Sequence, residues 1–496
     1  VPAFIQAFFD YLSKTQVRLG CSPGNFHFIL RDLSNILCEA GVLLLWINLE
    51  LNQNNMKHIS YKIQGGTPIK GKITCMGAKN LTTKVMVAAL LAAEKTILRG
   101  VPNIGDAEIT AELLISVGVN VDWDKEEGVM SIDATHIATH QASLPDSKTN
   151  RIPILLLSIL LHRLGKAEVP TVGGDHIGKR NVDYHTNAIK KFGAEVVEDG
   201  NKYIAHTNSR LKACHIDLPY PSVGATETCL FLSVLAKGTS IINNIALEPE
   251  IIELITMLRS MGAIIFLSAN RELIVHGVEK LNGTNFFIAG DRIEAASWAS
   301  LACASDGEIE VSGIRPDLLG NFLPHYIKIG GGFRFLKNDS ILFFRKEKLR
   351  STEIETDVYP GFATDWQQPF ATILTQAHGI SVIHETVHDK RFGYLDILNQ
   401  LGAKTEVVSS CLGSVPCRYR GQDFMHSALI HGPTKLTAVS SPIITPDLRA
   451  GLAYLIAAAL AEGETQLDDA DQIERGYGNL AEKLKNTNIQ LKRIES

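Results

Sequence analysis

Six glycine-punctuated units of about 70 residues each, repeating from Gly77 towards the C-terminus, leave this chain few architectures. Each unit reads as a mostly apolar helix, a small residue or glycine, a short strand, and an amphipathic helix closed by Gly-Ala or a variant. With the glycines after the two helices as markers, four units carry Gly165 and Gly193, Gly238 and Gly262, Gly307 and Gly331, and Gly379 and Gly402. A fifth has Lys95 and Gly118 at these places. A sixth has Gly463 and Asn488, asparagine being the other residue that tolerates a left-handed cap.

The two helices of a unit differ in a way that locates them. The run Ile154-Leu155-Leu156-Leu157-Ser158-Ile159-Leu160-Leu161 is apolar nearly all round, as is Leu452 to Leu460, and such helices must be buried. Ile251 to Met261 is striped instead, with Glu253, Arg259 and Ser260 on the face away from its apolar residues, as expected of a helix packed on a surface. Strands such as Ser240 to Ile242 and Glu308 to Val311 are expected to form sheets between the two helix sets. The expected fold is α/β, with buried helices inside and sheets around them.

The amino ends of the six buried helices carry the chemistry: Lys79-Asn80, Arg151, Ser222-Val223-Gly224, Arg292, Asp365, and Asp447 with Arg449. A helix amino terminus offers unpaired N–H groups and the positive end of a dipole, so several aimed at one space make an anion site. Taken singly, each is read as well by a cap or an ion pair. Recurrence at one position in every unit favours function, except at Arg292, which is read as a tie between two domains. The stretch Val172 to His185 is denser still, with Gly173, Gly174 and Gly178 around Asp175, Lys179 and Arg180. It is expected to be a mobile active-site loop that can carry Asp175 into a cleft, with Arg180 as an anion clamp.

Composition excludes some functions. A formal net charge of -5 offers no overall positive field for a nucleic acid. The eight cysteines are scattered without a Cys-x-x-Cys pair, which suits a reducing cytoplasm and suggests no zinc or redox site. No apolar run reaches membrane-spanning length. Residues 1–55 are set apart as an extension of unassigned role, either an upstream reading-frame extension ahead of Met56 or an accessory helix pair.

Eight motifs in order carry a resemblance: Gly77-Ala78-Lys79-Asn80, the Gly-Gly-Asp loop with Gly178-Lys179-Arg180, Ser222-Val223-Gly224-Ala225-Thr226, Glu248-Pro249-Glu250, Asp291-Arg292-Ile293-Glu294, Thr364-Asp365, Asp447-Leu448-Arg449 and Arg475-Gly476-Tyr477. From about Met56 onward the chain resembles the enolpyruvyl transferase family, in particular its UDP-N-acetylglucosamine 1-carboxyvinyltransferases of peptidoglycan synthesis. The resemblance implies a two-domain inside-out α/β barrel with three repeats per domain and a cleft between them. The domains expected are 56–78 plus 289–496, and 79–288, the latter carrying the loop 172–183.

The resemblance also implies the chemistry. The enolpyruvyl group of phosphoenolpyruvate passes to the 3-hydroxyl of UDP-N-acetylglucosamine by addition and elimination, with release of phosphate and without a metal or organic cofactor. Asp365 matches the aspartate beside the sugar hydroxyl, as general base or orienting group. Lys79, Arg180 and Arg475 match a phosphate clamp, and Arg391 and Arg449 the pair at the carboxylate. Sugar-nucleotide contacts carry over to Asn80, Arg151, Arg180, Val182, Asp183, His185, Ser222, Val223, Gly224, Asp365 and Val387.

Several positions depart from the family pattern. Asp175 stands where many members have a reactive cysteine, which makes it the expected acid toward the methylene carbon and predicts resistance to covalent inhibition by fosfomycin. Asn181, Tyr220-Pro221 and Gly478 also differ, and Ser409 to His426 is longer than usual and is expected to form a surface loop. Two alternatives stay open: a 5-enolpyruvylshikimate-3-phosphate synthase, disfavoured by Asp183, Ser222 to Thr226 and the Gly-Gly-Asp loop, and a catalytically silent UDP-sugar-binding paralogue.

Overall fold

The computed structural model describes residues 59–144, 150–173, 182–414 and 417–495. Asp175, Lys179, Arg180, Asn181 and the whole of the 1–55 extension lie outside these. Residues 58–496 form a compact unit with two hydrophobic cores. One core gathers residues from 78 to 288, and the other residues 59–75 together with 289–484.

The repeats take the expected form. Their buried and surface helices are, in turn, α1 (Lys79–Ala88) and α2 (Gly105–Ser116), α3 (Pro153–Leu164) and α4 (Asp183–Lys191), α5 (Val223–Ser233) and α6 (Pro249–Ser260). The second core continues with α7 (Arg292–Ala304) and α8 (Phe322–Lys328), α9 (Gln367–Leu374) and α10 (Tyr394–Gln400), α11 (Leu448–Leu460) and α12 (Asp471–Tyr477). Every residue of α7 is buried, as is each apolar residue from Ile154 to Leu161 in α3. Full burial of a leucine or isoleucine contributes about 1.5–3 kcal/mol, so these helices form the centre of each core and the striped helices its cover.

Among the described residues, six small sheets separate the helices. In the third repeat Thr239–Asn243 pairs antiparallel with Leu273–His276, which pairs antiparallel with Ile264–Leu267, while His215–Asp217 adds a parallel edge. The sixth repeat is completed from the other end of the described chain. Ile59–Gly65 lies between Gly463–Asp468 and Gln490–Glu495, antiparallel to both, so the last sheet cannot form without the strand that follows the 1–55 extension.

The glycine markers hold at Gly118, Gly165, Gly193, Gly238, Gly262, Gly379, Gly402 and Gly463, all with positive φ. Three markers are corrected. In the fourth repeat the left-handed residues are Asp306 (φ 57) and Gly330 (φ 107), one position before Gly307 and Gly331. In the sixth, Asn488 is not left-handed; its side chain accepts from Lys70 N at 2.7 Å and donates to Pro68 O at 2.9 Å.

The chain passes between the cores twice, at Met76–Ala78 and Ile288–Asp291, and the two crossings bond to each other. Ala78 N donates to Ala289 O at 2.7 Å and Asp291 N to Met76 O at 2.8 Å. A β-carbon at Gly77 would lie 2.1 Å from Gly100 O, so the close crossing requires a glycine there.

Candidate active site

The crossings deliver two charged helix starts to one place. Asp291 caps α7, its Oδ1 accepting from Ile293 N at 2.8 Å and Glu294 N at 3.2 Å, and its Oδ2 accepts from Lys79 N, the first residue of α1, at 3.1 Å. Lys79 Nζ then reaches Asp106 Oδ2 at 2.7 Å, and Arg475 Nε reaches Asp106 Oδ1 at 2.8 Å. Asp106 comes from α2 and Arg475 from α12, so this buried carboxylate also joins the two cores. Burial alone would raise its pKa, but Lys79 and Arg475 outweigh burial and lower it to about 2.

A second carboxylate, Asp365, repeats the arrangement. Arg391 Nη2 lies 2.5 Å from its Oδ1 and Arg449 Nε 3.2 Å from its Oδ2. Asp447 caps α11 by accepting from Arg449 N at 2.8 Å and Ala450 N at 3.0 Å, which fixes where the Arg449 side chain starts. Arg449 Nη1 also donates to Tyr477 Oη at 2.5 Å. Burial would raise the pKa of Asp365, but Arg449 and Arg391, with smaller effects from His388 and Lys79, hold it well below the usual carboxylate range. The charge of Lys79 therefore acts on both carboxylates.

The nucleotide-site candidates gather separately, where α4 meets α5. His185 is buried on α4, with Nδ1 2.7 Å from Thr228 Oγ1. Val182 precedes that helix, accepting from His185 N at 3.0 Å, and Asp183 stands exposed in its first turn. Ser222 caps α5 by accepting from Ala225 N, followed by Val223 and Gly224. A β-carbon at Gly224 would sit 3.0 Å from His185 Cε1 and 3.1 Å from Nε2, so any other residue here would push the helix start or this ring aside by a few tenths of an ångström. Burial first, and the charge of Arg151 second, lower the pKa of His185 to about 3. Asn80, at the second position of α1, is partly exposed beside Lys79.

Val387 occupies a turn that Glu385 organises. Glu385 Oε1 accepts from Val387 N at 2.6 Å and His388 N at 2.9 Å, and Oε2 accepts from Thr364 Oγ1 at 2.8 Å, one residue before Asp365. Tyr419 Oη donates to Val387 O at 3.0 Å, and the Arg418 guanidinium stacks 4.8 Å from the Tyr220 ring centroid. A cavity of about 220 Å³ is lined by Val387, His388, Asp389, Arg418, Tyr419 and Gln422.

Arg292 joins neither cluster. Its Nε and Nη2 meet Glu250 Oε1 and Oε2 at 2.9 and 3.2 Å, a buried bidentate pair joining α7 of one core to α6 of the other. Two groups of the site, Asp106 and Glu385, were not singled out by sequence reasoning, nor was the buried Glu227. Glu227, inside α5, was detectable as the lone carboxylate of an otherwise uncharged buried helix. Burial raises its pKa to about 7, against the lowering effect of Lys84.

The family model described as EPSP synthase (3-phosphoshikimate 1-carboxyvinyltransferase) matches residues 63–484. A Protochlamydia amoebophila protein named UDP-N-acetylglucosamine 1-carboxyvinyltransferase is 42% identical over 439 residues, 88% of this chain and 94% of that one. A protein of the same name from Chlamydia abortus is 44% identical over 433 residues, 87% of this chain and 97% of that one. Among solved structures, the enolpyruvyl transferase NikO from Streptomyces tendae superposes with a TM-score of 0.75 at 20% identity, covering 89% of this chain and 100% of that one. An EPSP synthase from Acinetobacter baumannii gives 0.65 at 16% identity, covering 88% and 100%. The fold is thus the inside-out α/β architecture of these enzymes, and the chain belongs to the enolpyruvyl transferase (EPSP synthase) family, among relatives named UDP-N-acetylglucosamine 1-carboxyvinyltransferase.

Proposed function

We propose that this protein transfers the enolpyruvyl group of phosphoenolpyruvate to the 3-hydroxyl of UDP-N-acetylglucosamine and releases phosphate, a cytoplasmic step of peptidoglycan synthesis. The observation that carries the reading is Asp365 between Arg391 and Arg449 with the charge of Lys79 beside it, because an addition–elimination needs a proton acceptor next to cations that hold an anionic substrate. The named relatives favour the nucleotide sugar over shikimate 3-phosphate.

In this reading the sugar oxygen forms a bond to C2 of phosphoenolpyruvate while its proton passes to a base and C3 gains one from an acid. Asp365 orients the hydroxyl and takes its proton, and Asp175 supplies the proton to C3. Elimination then takes a proton from C3, restores the double bond and breaks the C2–O bond to phosphate. Lys79, Arg180 and Arg475 hold the phosphate; Arg391 and Arg449 hold the carboxylate, where a planar guanidinium suits two oxygens better than an ammonium. Asn80, Arg151, Val182, Asp183, His185, Ser222, Val223, Gly224 and Val387 position the nucleotide sugar. The two domains of the catalytic unit are 56–78 plus 289–496 and 79–288, each with one of the hydrophobic cores.

Mass spectrometry of the product tests the reading. Incubation with both substrates should yield a nucleotide sugar heavier by one enolpyruvyl group, and Asp365→Asn should abolish or greatly slow its formation. Unchanged UDP-N-acetylglucosamine with the unaltered chain, despite binding, would favour the silent paralogue.

A further inference from the structure

Two of the scattered cysteines, Cys411 and Cys417, come together in the long connection between Lys404–Val408 and Ser427–Gly432. Their sulfurs are 3.5 Å apart, and Cys411 Sγ is 3.2 Å from His426 Nε2. His384, at the end of the adjacent strand Gly379–His384, completes a group of four whose ligand atoms all lie within 4.8 Å of one another. We propose that His384, Cys411, Cys417 and His426 bind one zinc ion, forming a Cys2His2 site that clips the 409–426 loop to its sheet. The spacing of the ligands conceals the group, because His384 ends one strand and His426 immediately precedes another.

The sulfur–sulfur separation and the Cys411–His426 separation suit a tetrahedral ion, and the remaining ones, within 4.8 Å, need close by about 1 Å as the ion binds. With Zn–S of about 2.3 Å and Zn–N of about 2.0–2.1 Å, the S–S and S–N edges of a tetrahedron are about 3.8 and 3.5 Å, within a few tenths of an ångström of those observed. A disulfide needs about 2.05 Å between sulfurs, and both thiols are free. Two soft sulfurs with two imidazoles select zinc over magnesium or calcium.

Proton accounting gives both histidines the ligating tautomer. His426 Nδ1 is 2.5 Å from Phe424 O, an acceptor only, so Nδ1 carries the hydrogen and Nε2 presents a lone pair. His384 Nδ1 is 2.8 Å from Ser427 Oγ, and that hydroxyl donates its hydrogen to Ser410 O at 2.7 Å. Ser427 Oγ therefore accepts from His384 Nδ1–H, which again leaves Nε2 bare. Such bonds on the far nitrogen are the usual means of orienting a metal-binding imidazole. His384 Nε2 is buried without a hydrogen-bond partner, and the ring is 1% exposed. An unmatched buried acceptor is unfavourable, and coordination would satisfy it.

The loop is seated for this. Ser414 N and Oγ donate to Glu355 Oε2 at 3.1 and 2.9 Å, and a β-carbon at Gly413 would lie 2.2 Å from His384 Cδ2, so only glycine lets the loop pass over the ring. Beyond Cys417 the chain presents Arg418 to Tyr220 and Tyr419 to Val387, so the clip fixes the residues that line the cavity there.

The test is the metal content of the full chain, purified without an affinity tag from zinc-supplied cells. One zinc per chain is expected, falling near zero in Cys411→Ser/Cys417→Ser and persisting in Cys214→Ser. Because the double variant could fold poorly, the unaltered chain prepared with cobalt(II) gives a second reading, with thiolate-to-cobalt charge transfer and the intense visible bands of a tetrahedral site. Absence of zinc together with absence of those bands would overturn the proposal. So would equal zinc in the double variant, or a mass lower by two hydrogens mapped to a Cys411–Cys417 disulfide.

Discussion

Arg391 Nη2 lies 2.5 Å from Asp365 Oδ1, which ties a residue proposed to hold the phosphoenolpyruvate carboxylate to the one proposed to act on the sugar hydroxyl. A carboxylate pinned by Arg391 and Arg449 is a weak base. A substrate carboxylate competing for the same guanidinium N–H groups would loosen that hold and raise the pKa of Asp365 as the second substrate is engaged. Asp365→Asn, which keeps the shape and a hydrogen-bonding oxygen, is predicted to lower kcat by about 10²-fold or more. Its Tm should stay closer to that of the unaltered chain than that of Asp365→Ala, which leaves two buried guanidiniums facing an empty position.

Asp106 makes a matching prediction for the other cluster. Its folded pKa, about 2, is below the ordinary 3.8, so its contribution to stability is fully present above pH 3.8 and is lost as pH falls through 2. Asp106→Asn should destabilise the fold by about 1–3 kcal/mol at neutral pH, and remove this acid-limb contribution in denaturant titrations between pH 4 and 2. It should also raise KM for phosphoenolpyruvate, since Lys79 and Arg475 lose their common anchor.

His185 predicts a separate pH dependence. Its pKa is lowered from 6.5 to about 3, so between these values the unfolded chain binds the proton and the folded chain does not. Stability is therefore full above pH 6.5 and declines as pH falls towards 3, at a limit of about 1.4 kcal/mol per pH unit. His185→Gln should reduce the loss between pH 6.5 and 4.5 by about 2 kcal/mol, read from urea midpoints.

Gly224→Ala tests the close approach of α5 to His185. The added carbon meets the ring at 3.0 Å, so either the helix start or the imidazole shifts by a few tenths of an ångström. The expected result is a KM for the nucleotide sugar raised about tenfold, roughly 1.4 kcal/mol, with kcat changed much less. An equal fall in kcat would place Gly224 in the reacting part of the site instead.

The proposed role of Asp175 carries a prediction about inhibition. A carboxylate is a far poorer nucleophile than a thiolate toward the epoxide of fosfomycin, so no time-dependent inactivation and no adduct mass are expected. Asp175→Cys should introduce both.

The repeat was legible because a left-handed turn is a backbone requirement that only a few residues meet, and Gly165, Gly193, Gly238 and Gly262 meet it in the open. It misled by one position at Gly307, where the glycine serves packing: a β-carbon there would lie 1.9 Å from Ile69 O, while Asp306 makes the turn. In the site, Lys79, Asp365 and Arg449 were legible through their recurrence at helix starts. Asp106 was not, because a carboxylate in the first turn of a surface helix has an ordinary role as a favourable dipole charge. Its pairing with Arg475 arises only when the cores meet. The Cys411, Cys417, His384 and His426 group was hidden for the same reason, since strand pairing rather than spacing brings it together.

The most direct measurement is phosphate release from phosphoenolpyruvate, with UDP-N-acetylglucosamine and shikimate 3-phosphate offered in parallel to the full chain. The account predicts release with the nucleotide sugar alone, and its loss in Lys79→Ala and Asp365→Asn. Release with shikimate 3-phosphate, or undiminished release in those variants, would contradict it.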